Sequence, residues 1–99
     1  EEIFGPVLTA IEVSDEEEAT AVANDSPFGL TACVWTNDLT RAHTVTDRLD
    51  YGMVMVNETP NTWPQTPFGG TKQSGHGRAQ GEQAIESYTE VKNVHINLG

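Results

Sequence analysis

The chain has 99 residues, 36% of them hydrophobic, with 15 acidic residues against 5 basic ones and a formal net charge of −10. That charge argues against nucleic acid or an anionic membrane surface as partner, and no apolar run approaches the roughly 20 residues of a membrane helix. A single Cys excludes an internal disulfide and gives no metal cluster, a pattern that fits a cytoplasmic protein.

The length suits one small domain that buries about 60–65% of its unfolded surface. At a mean hydropathy of −0.43 the chain reads as soluble. Self-repulsion among so many carboxylates costs stability in dilute salt, so a halophilic source with a salty cytoplasm is expected. No signal-peptide pattern opens the chain. Its first residue is Glu rather than Met, which suggests a processed, excised or cropped piece.

The opening stretch, Glu1-Glu2-Ile3-Phe4-Gly5-Pro6-Val7, sets two carboxylates beside an aromatic ring. A carboxylate accepts two hydrogen bonds at once from vicinal hydroxyls, as on a ribose. Phe4 offers a flat apolar face to a planar ring, and Gly5 allows close backbone approach before the fixed φ of Pro6. The same residues also read as an ordinary solvated acidic pair before a strand. Val7 to Val13 is that strand, rich in β-branched and aliphatic residues. Ser14 to Glu17 then forms a capping-box pattern that starts a first helix. Asp15 through Glu18 put negative charge on its first turn, where the helix dipole favours it. Asn24-Asp25-Ser26-Pro27 ends it.

Leu30 to Thr36 reads as a second strand, apolar enough for burial on both faces. Asn37 or Asp38 caps a second helix with apolar positions Leu39, Ala42, Val45 and Leu49, and Gly52 stands where a left-handed residue would stop it. Met53 to Asn57 is a third strand. Such an alternation implies right-handed crossovers and parallel pairing, half of an α/β layer. Glu58 to Gly77 is a loop of about twenty residues, longer than a compact domain keeps without a use for it. A short helix over 79–87 and a last strand over 90–98 follow. With neither face of that strand clearly apolar, it suits an edge that pairs with something else.

Cys33 lies in an apolar strand without a basic neighbour and reads as a small core hydrophobe. His43, His76 and His95 lack metal-ligand spacing. The glycines at 75, 77 and 81 have one residue too many for a dinucleotide fingerprint and follow a loop, so they read as turn geometry. Phe68, stiffened by Pro67 and left uncrowded by Gly69-Gly70, reads either as a ligand contact or as an anchor for the long loop. Trp63 is a weaker neighbour of the same kind.

Five stretches occur in one order along the chain: EEIFGPV at 1–7, ANDSPFGL at 23–30, GMVMVN at 52–57, PFGGTKQSGHGR at 67–78 and SYTEVKNV at 87–94. Together they resemble the C-terminal signature of the aldehyde dehydrogenase superfamily, across essentially the whole chain. The resemblance implies a partial parallel βαβαβ layer of that family's catalytic domain over 1–89, with an oligomerisation strand at 90–98. It matches Glu2 to the carboxylate that holds the nicotinamide ribose and Phe4 to the ring packed near the nicotinamide. It matches Phe68 to the substrate pocket and the last strand to one that reaches a partner subunit, making a homo-oligomer. In such enzymes a Cys thiolate attacks the aldehyde, an Asn and a backbone amide hold the oxyanion, hydride passes to NAD or NADP, and a Glu-activated water releases the acid. The nucleophilic Cys, the oxyanion Asn, the base and the cofactor domain belong to other motifs. This chain is therefore expected to hold no catalytic residue and no tightly bound cofactor by itself. Two readings stand: the C-terminal part of a working dehydrogenase, or a stand-alone remnant acting as a non-catalytic interaction module.

Overall fold

Two Asp residues start the helices of this computed structural model, which describes residues 2–99. Helix α1 spans Glu16–Asn24. Asp15 is extended, and its carboxylate accepts the Glu18 N–H at 2.8 Å. The Glu18 carboxylate turns back to accept the Ser14 N–H at 2.8 Å and the Ser14 hydroxyl at 2.6 Å. The capping box thus sits one residue later than the Ser14–Glu17 pattern predicts. The physical reason is that an ionised carboxylate is the stronger acceptor for the orphan helix N–H, which frees Ser14 to act as a donor.

Helix α2, Leu39–Arg48, chooses Asp38 over Asn37, with the Arg41 N–H donating to its carboxylate at 3.0 Å. It ends at an extended Leu49, not at Gly52. Gly52 is required for another reason. A Cβ there would overlap the Gly69 carbonyl oxygen and stand 2.7 Å from the Gly70 Cα, so glycine permits two backbones to meet.

Strands β2 (Thr31–Val34) and β3 (Met53–Val56) pair in parallel, with Thr31 opposite Met53 and Val34 opposite Val56. The crossover through α2 is the one the alternating pattern predicts, although both strands are shorter than expected. Asn57 prolongs the ladder with its side chain. Its amide oxygen accepts the Thr36 N–H at 2.9 Å and its NH₂ donates to the Thr36 carbonyl at 2.8 Å.

The predicted twenty-residue loop is only half a loop. Strand β4 (Thr71–Lys72) pairs antiparallel with β1 (Phe28–Gly29). Phe68 and Ala79 exchange N–H···O bonds of 2.6 and 2.7 Å, so 68–79 is a stitched hairpin. A 3₁₀ helix, Glu82–Tyr88, stands where a short helix is expected.

Polar contacts join the parts. Glu16 reaches Arg41 at 2.9 Å and Arg48 at 2.6 Å, which clamps α1 to α2. The Asn24 NH₂ donates to the Arg48 carbonyl at 2.7 Å, and its oxygen accepts the Asp50 N–H at 2.9 Å. The Tyr51 hydroxyl donates to the Ala23 carbonyl at 2.7 Å.

Two expected strands form no ladder among the described residues. Segments 7–13 and 90–98 are exposed, with Leu8 and Leu98 showing 93% and 95% of their surface. A strand needs a neighbour to satisfy its N–H and C=O groups, and among the described residues none pairs with either segment. The molecule therefore measures 70 × 34 × 24 Å with a radius of gyration of 18.5 Å, against about 13 Å for a compact chain of this length. Among the described residues Val45 is the one buried hydrophobic side chain. Cys33 is exposed, not in a core, because a two-stranded sheet leaves much of its surface uncovered. The class is α/β, as the sequence predicts.

Candidate functional site

Phe68 is the most firmly positioned of the residues the sequence singles out. It is half-buried and held through both main-chain groups by Ala79. Gly69 and Gly70 after it are wedged against Gly52, and Arg78 Nη1 donates to the Gly70 and Gly77 carbonyls at 2.8 and 2.7 Å. The far end of the hairpin is tied as well. The Gln73 N–H donates to the Pro27 carbonyl at 2.8 Å, and the Gly29 N–H donates to the Ser74 hydroxyl at 2.9 Å. A ring at position 68 is thus presented by rigid backbone, as a substrate contact requires.

Glu2 is exposed and lines a cleft of about 650 Å³ with Phe28, Tyr51, Gln73 and Ser74. The structure therefore brings it to the hairpin turn, but not to Phe68. Phe4 is 93% exposed at φ 52° and does not line that cleft. Trp63 is 57% exposed and borders a separate groove of about 250 Å³ with Met53, Met55 and Asn61, so it is not a partner of Phe68 there. Among the described residues, no three His, Cys, Asp or Glu side chains cluster as a metal would need.

The structure also bears on a dinucleotide. A pyrophosphate prefers a free helix N-terminus. Asp15 and Asp38 occupy both α-helical N-termini, and Glu16, Glu17 and Glu18 add charge to the first turn of α1. Neither of these helix N-termini is therefore a free anion site.

Sequence reasoning missed Lys72, Asn24 and Tyr51. Lys72 adopts φ 53°, and its ammonium donates to the Asn24 carbonyl at 2.8 Å. The sequence signal for it was weak, since a Lys in a Gly-rich loop ordinarily reads as solvated.

The aldehyde dehydrogenase family model matches residues 1–94. The chain belongs to the aldehyde dehydrogenase family. It is 50% identical over 98 residues to the NADP/NAD-dependent aldehyde dehydrogenase PuuC of Escherichia coli (strain K12), covering 99% of this chain and 20% of that protein. It is 51% identical over 100 residues to betaine aldehyde dehydrogenase 1 of Rhizobium meliloti (strain 1021), covering 100% of this chain and 20% of that one. The crystal structure of the aldehyde dehydrogenase KauB from Pseudomonas aeruginosa superposes with a TM-score of 0.89 at 51% identity, over 93% of this chain and 19% of that one. The chain thus spans about a fifth of the length of the aldehyde dehydrogenases it matches. The likeness to KauB extends over most of the chain's backbone.

Proposed function

We propose that this chain is the C-terminal part of an NAD(P)-dependent aldehyde dehydrogenase that oxidises an aldehyde to a carboxylic acid, and that it is not catalytic alone. The observation that carries the reading is identity near 50% across the whole chain to proteins five times its length. The bare apolar arms agree with it, since Leu8, Ile11, Ile96 and Leu98 stand in solvent and call for cover from further protein.

In this reading Glu2 accepts hydrogen bonds from the nicotinamide ribose hydroxyls and Phe4 packs near the nicotinamide. Phe68, fixed by its bridge to Ala79, forms one wall of the aldehyde pocket and orients the carbonyl without taking part in bond making. The cofactor, when bound, takes up the hydride. Segment 90–98 supplies a strand to a second subunit, its free edge inviting β-pairing. Location in a cytoplasm, and a salty one, belongs to the same proposal; a melting point that fell as KCl rose from dilute to molar would remove the salt part.

The test compares two purified proteins. The 99-residue chain should give no aldehyde-dependent NADH or NADPH, whereas the native polypeptide, identified by an antibody against this segment, should run several times larger than 10.8 kDa and oxidise aldehydes. A native band at 10.8 kDa, or turnover by the short chain, would overturn the reading.

A further inference from the structure

Lys72 sits where a lysine is costly. Its φ of 53° lies in the left-handed region, which non-glycine residues keep only when their surroundings hold them there. It is the second residue of a turn closed by the Ser74 N–H donating to the Thr71 carbonyl at 3.1 Å. Nothing in that turn itself demands a cation.

The partners of its ammonium all lie outside the hairpin. Nζ donates to the Asn24 carbonyl at 2.8 Å, stands 3.5 Å from the Asp50 carboxylate and lies 5.7 Å from the Tyr51 ring centroid. Asn24 closes α1, so its carbonyl belongs to the last turn, where backbone oxygens lack helical partners and the dipole favours a positive charge. Asp50 and Tyr51 lead into β3. The Lys72 side chain is only 23% exposed, so its bond to the Asn24 carbonyl is screened less than on open surface, whereas Asp50 is 57% exposed and its pull is weaker.

We propose that Lys72 is a positioning residue, a latch that fixes the 68–79 hairpin against the end of α1 and the Asp50–Tyr51 turn and thereby sets where Phe68 stands. The link to Phe68 is short and stiff. Gly69, Gly70 and Thr71 join the two; Gly70 is buried, Gly69 lies against Gly52, and the Thr71 hydroxyl donates to the Asp50 carbonyl at 2.9 Å. With the latch loosened, the hairpin keeps its bonds to Pro27, Gly29 and Asp50, and the wider swings that these permit are carried to the Phe68 ring. The proposal rests on the reading of Phe68 as a pocket wall.

The test uses the full-length dehydrogenase that carries this chain. Asn tolerates left-handed φ, so Lys72→Asn preserves the turn while deleting the ammonium, whereas Lys72→Arg keeps a cation of similar reach. Losing a charged hydrogen bond predicts an aldehyde KM raised on the order of tenfold in Lys72→Asn. The kcat and the cofactor KM should stay within about twofold, and Lys72→Arg should restore the aldehyde KM. Asp50→Asn cuts a weaker contact and should raise the same KM by about twofold; if Lys72→Asn does not fold, amide exchange at Phe68 and Ala79 in Asp50→Asn decides the matter, quickened exchange supporting the latch and unchanged exchange overturning it. Amide exchange at Phe68 and Ala79 should quicken in Lys72→Asn and recover in Lys72→Arg. An unchanged aldehyde KM, or a kcat that falls with the folded fraction while KM holds, overturns the latch. A wild-type protein without aldehyde oxidation refutes the proposed function instead, and the exchange comparison still decides whether the latch exists.

Discussion

Gly52→Ala is expected to be among the most damaging single-methyl additions in this chain. The new Cβ would overlap the Gly69 carbonyl oxygen and approach the Gly69 carbonyl carbon and the Gly70 Cα to 2.7 Å each. Both sides of the contact are backbone, so no side chain can swing away. Restoring carbon–carbon distances of about 3.5 Å requires a parting of roughly 0.8 Å at those two atoms, and clearing the overlapped Gly69 oxygen to about 3.2 Å requires more than roughly 1 Å between Gly52 and the hairpin. Overpacking of this kind costs about 1–3 kcal/mol. The same movement strains the 2.9 Å bond from the Gly52 N–H to the Gly29 carbonyl, worth a further 0.5–1.5 kcal/mol or so. A total near 3 kcal/mol is a large share of the roughly 5–15 kcal/mol that a domain has. Gly52 does not have a left-handed φ, so backbone strain from alanine itself does not enter. Gly75→Ala is the natural comparison, with φ 127° but nothing within 4 Å of its Cβ, so it carries strain without a clash. Urea unfolding followed by circular dichroism reads the difference as a shift in midpoint at constant slope. A Gly52→Ala midpoint equal to wild type would refute the claim that two backbones meet here.

Other expected outcomes are smaller. Glu16→Gln loses the pairs to Arg41 and Arg48, but all three side chains are a third or more exposed, so the loss should be only about 0.5–1 kcal/mol and shrink in 0.5 M salt; a loss insensitive to salt would mean a packing role instead. Asp38→Ala removes the carboxylate cap of α2 and should cost about 1 kcal/mol, with most of it recovered by Asp38→Ser. Two hydrogen bonds from Ser14, chiefly that of its hydroxyl, hold the Glu18 carboxyl below its ordinary range. A depressed folded-state value means that this contribution is complete above the unfolded value of roughly 4.3 and is lost as pH falls through the lower folded value. Ser14→Ala should therefore flatten the acid limb of the stability curve, and an unaltered limb would count against the capping geometry.

Local chemistry was legible in the sequence wherever a residue acts on its near neighbours. The acidic start of α1, a cap at 37 or 38 for α2 and strands within 30–36 and 53–57 were readable, because each rests on contacts within a few residues; the choice of Asp38 over Asn37 was not. The capping box slipped by one position because Ser14 and Asp15 compete for the same N–H groups, and only the folded geometry shows which wins. Lys72 gave only a weak signal. Its φ and its hold on Asn24 arise from residues 48 positions apart, and no local pattern encodes such a meeting.

What the sequence by itself determined is the family, the α/β alternation and, to within a residue, the helix starts, since these follow from motif order, periodicity and short-range hydrogen bonding. Only the tertiary structure decided which segments pair. It turned half of the long loop into a hairpin on β1, left 7–13 and 90–98 without a ladder, and opened Cys33 to solvent. The physical reason is common to all of these. A strand or a buried face is a relation between two pieces of chain, and whether the second piece is present at the right place is a property of the fold, not of the segment.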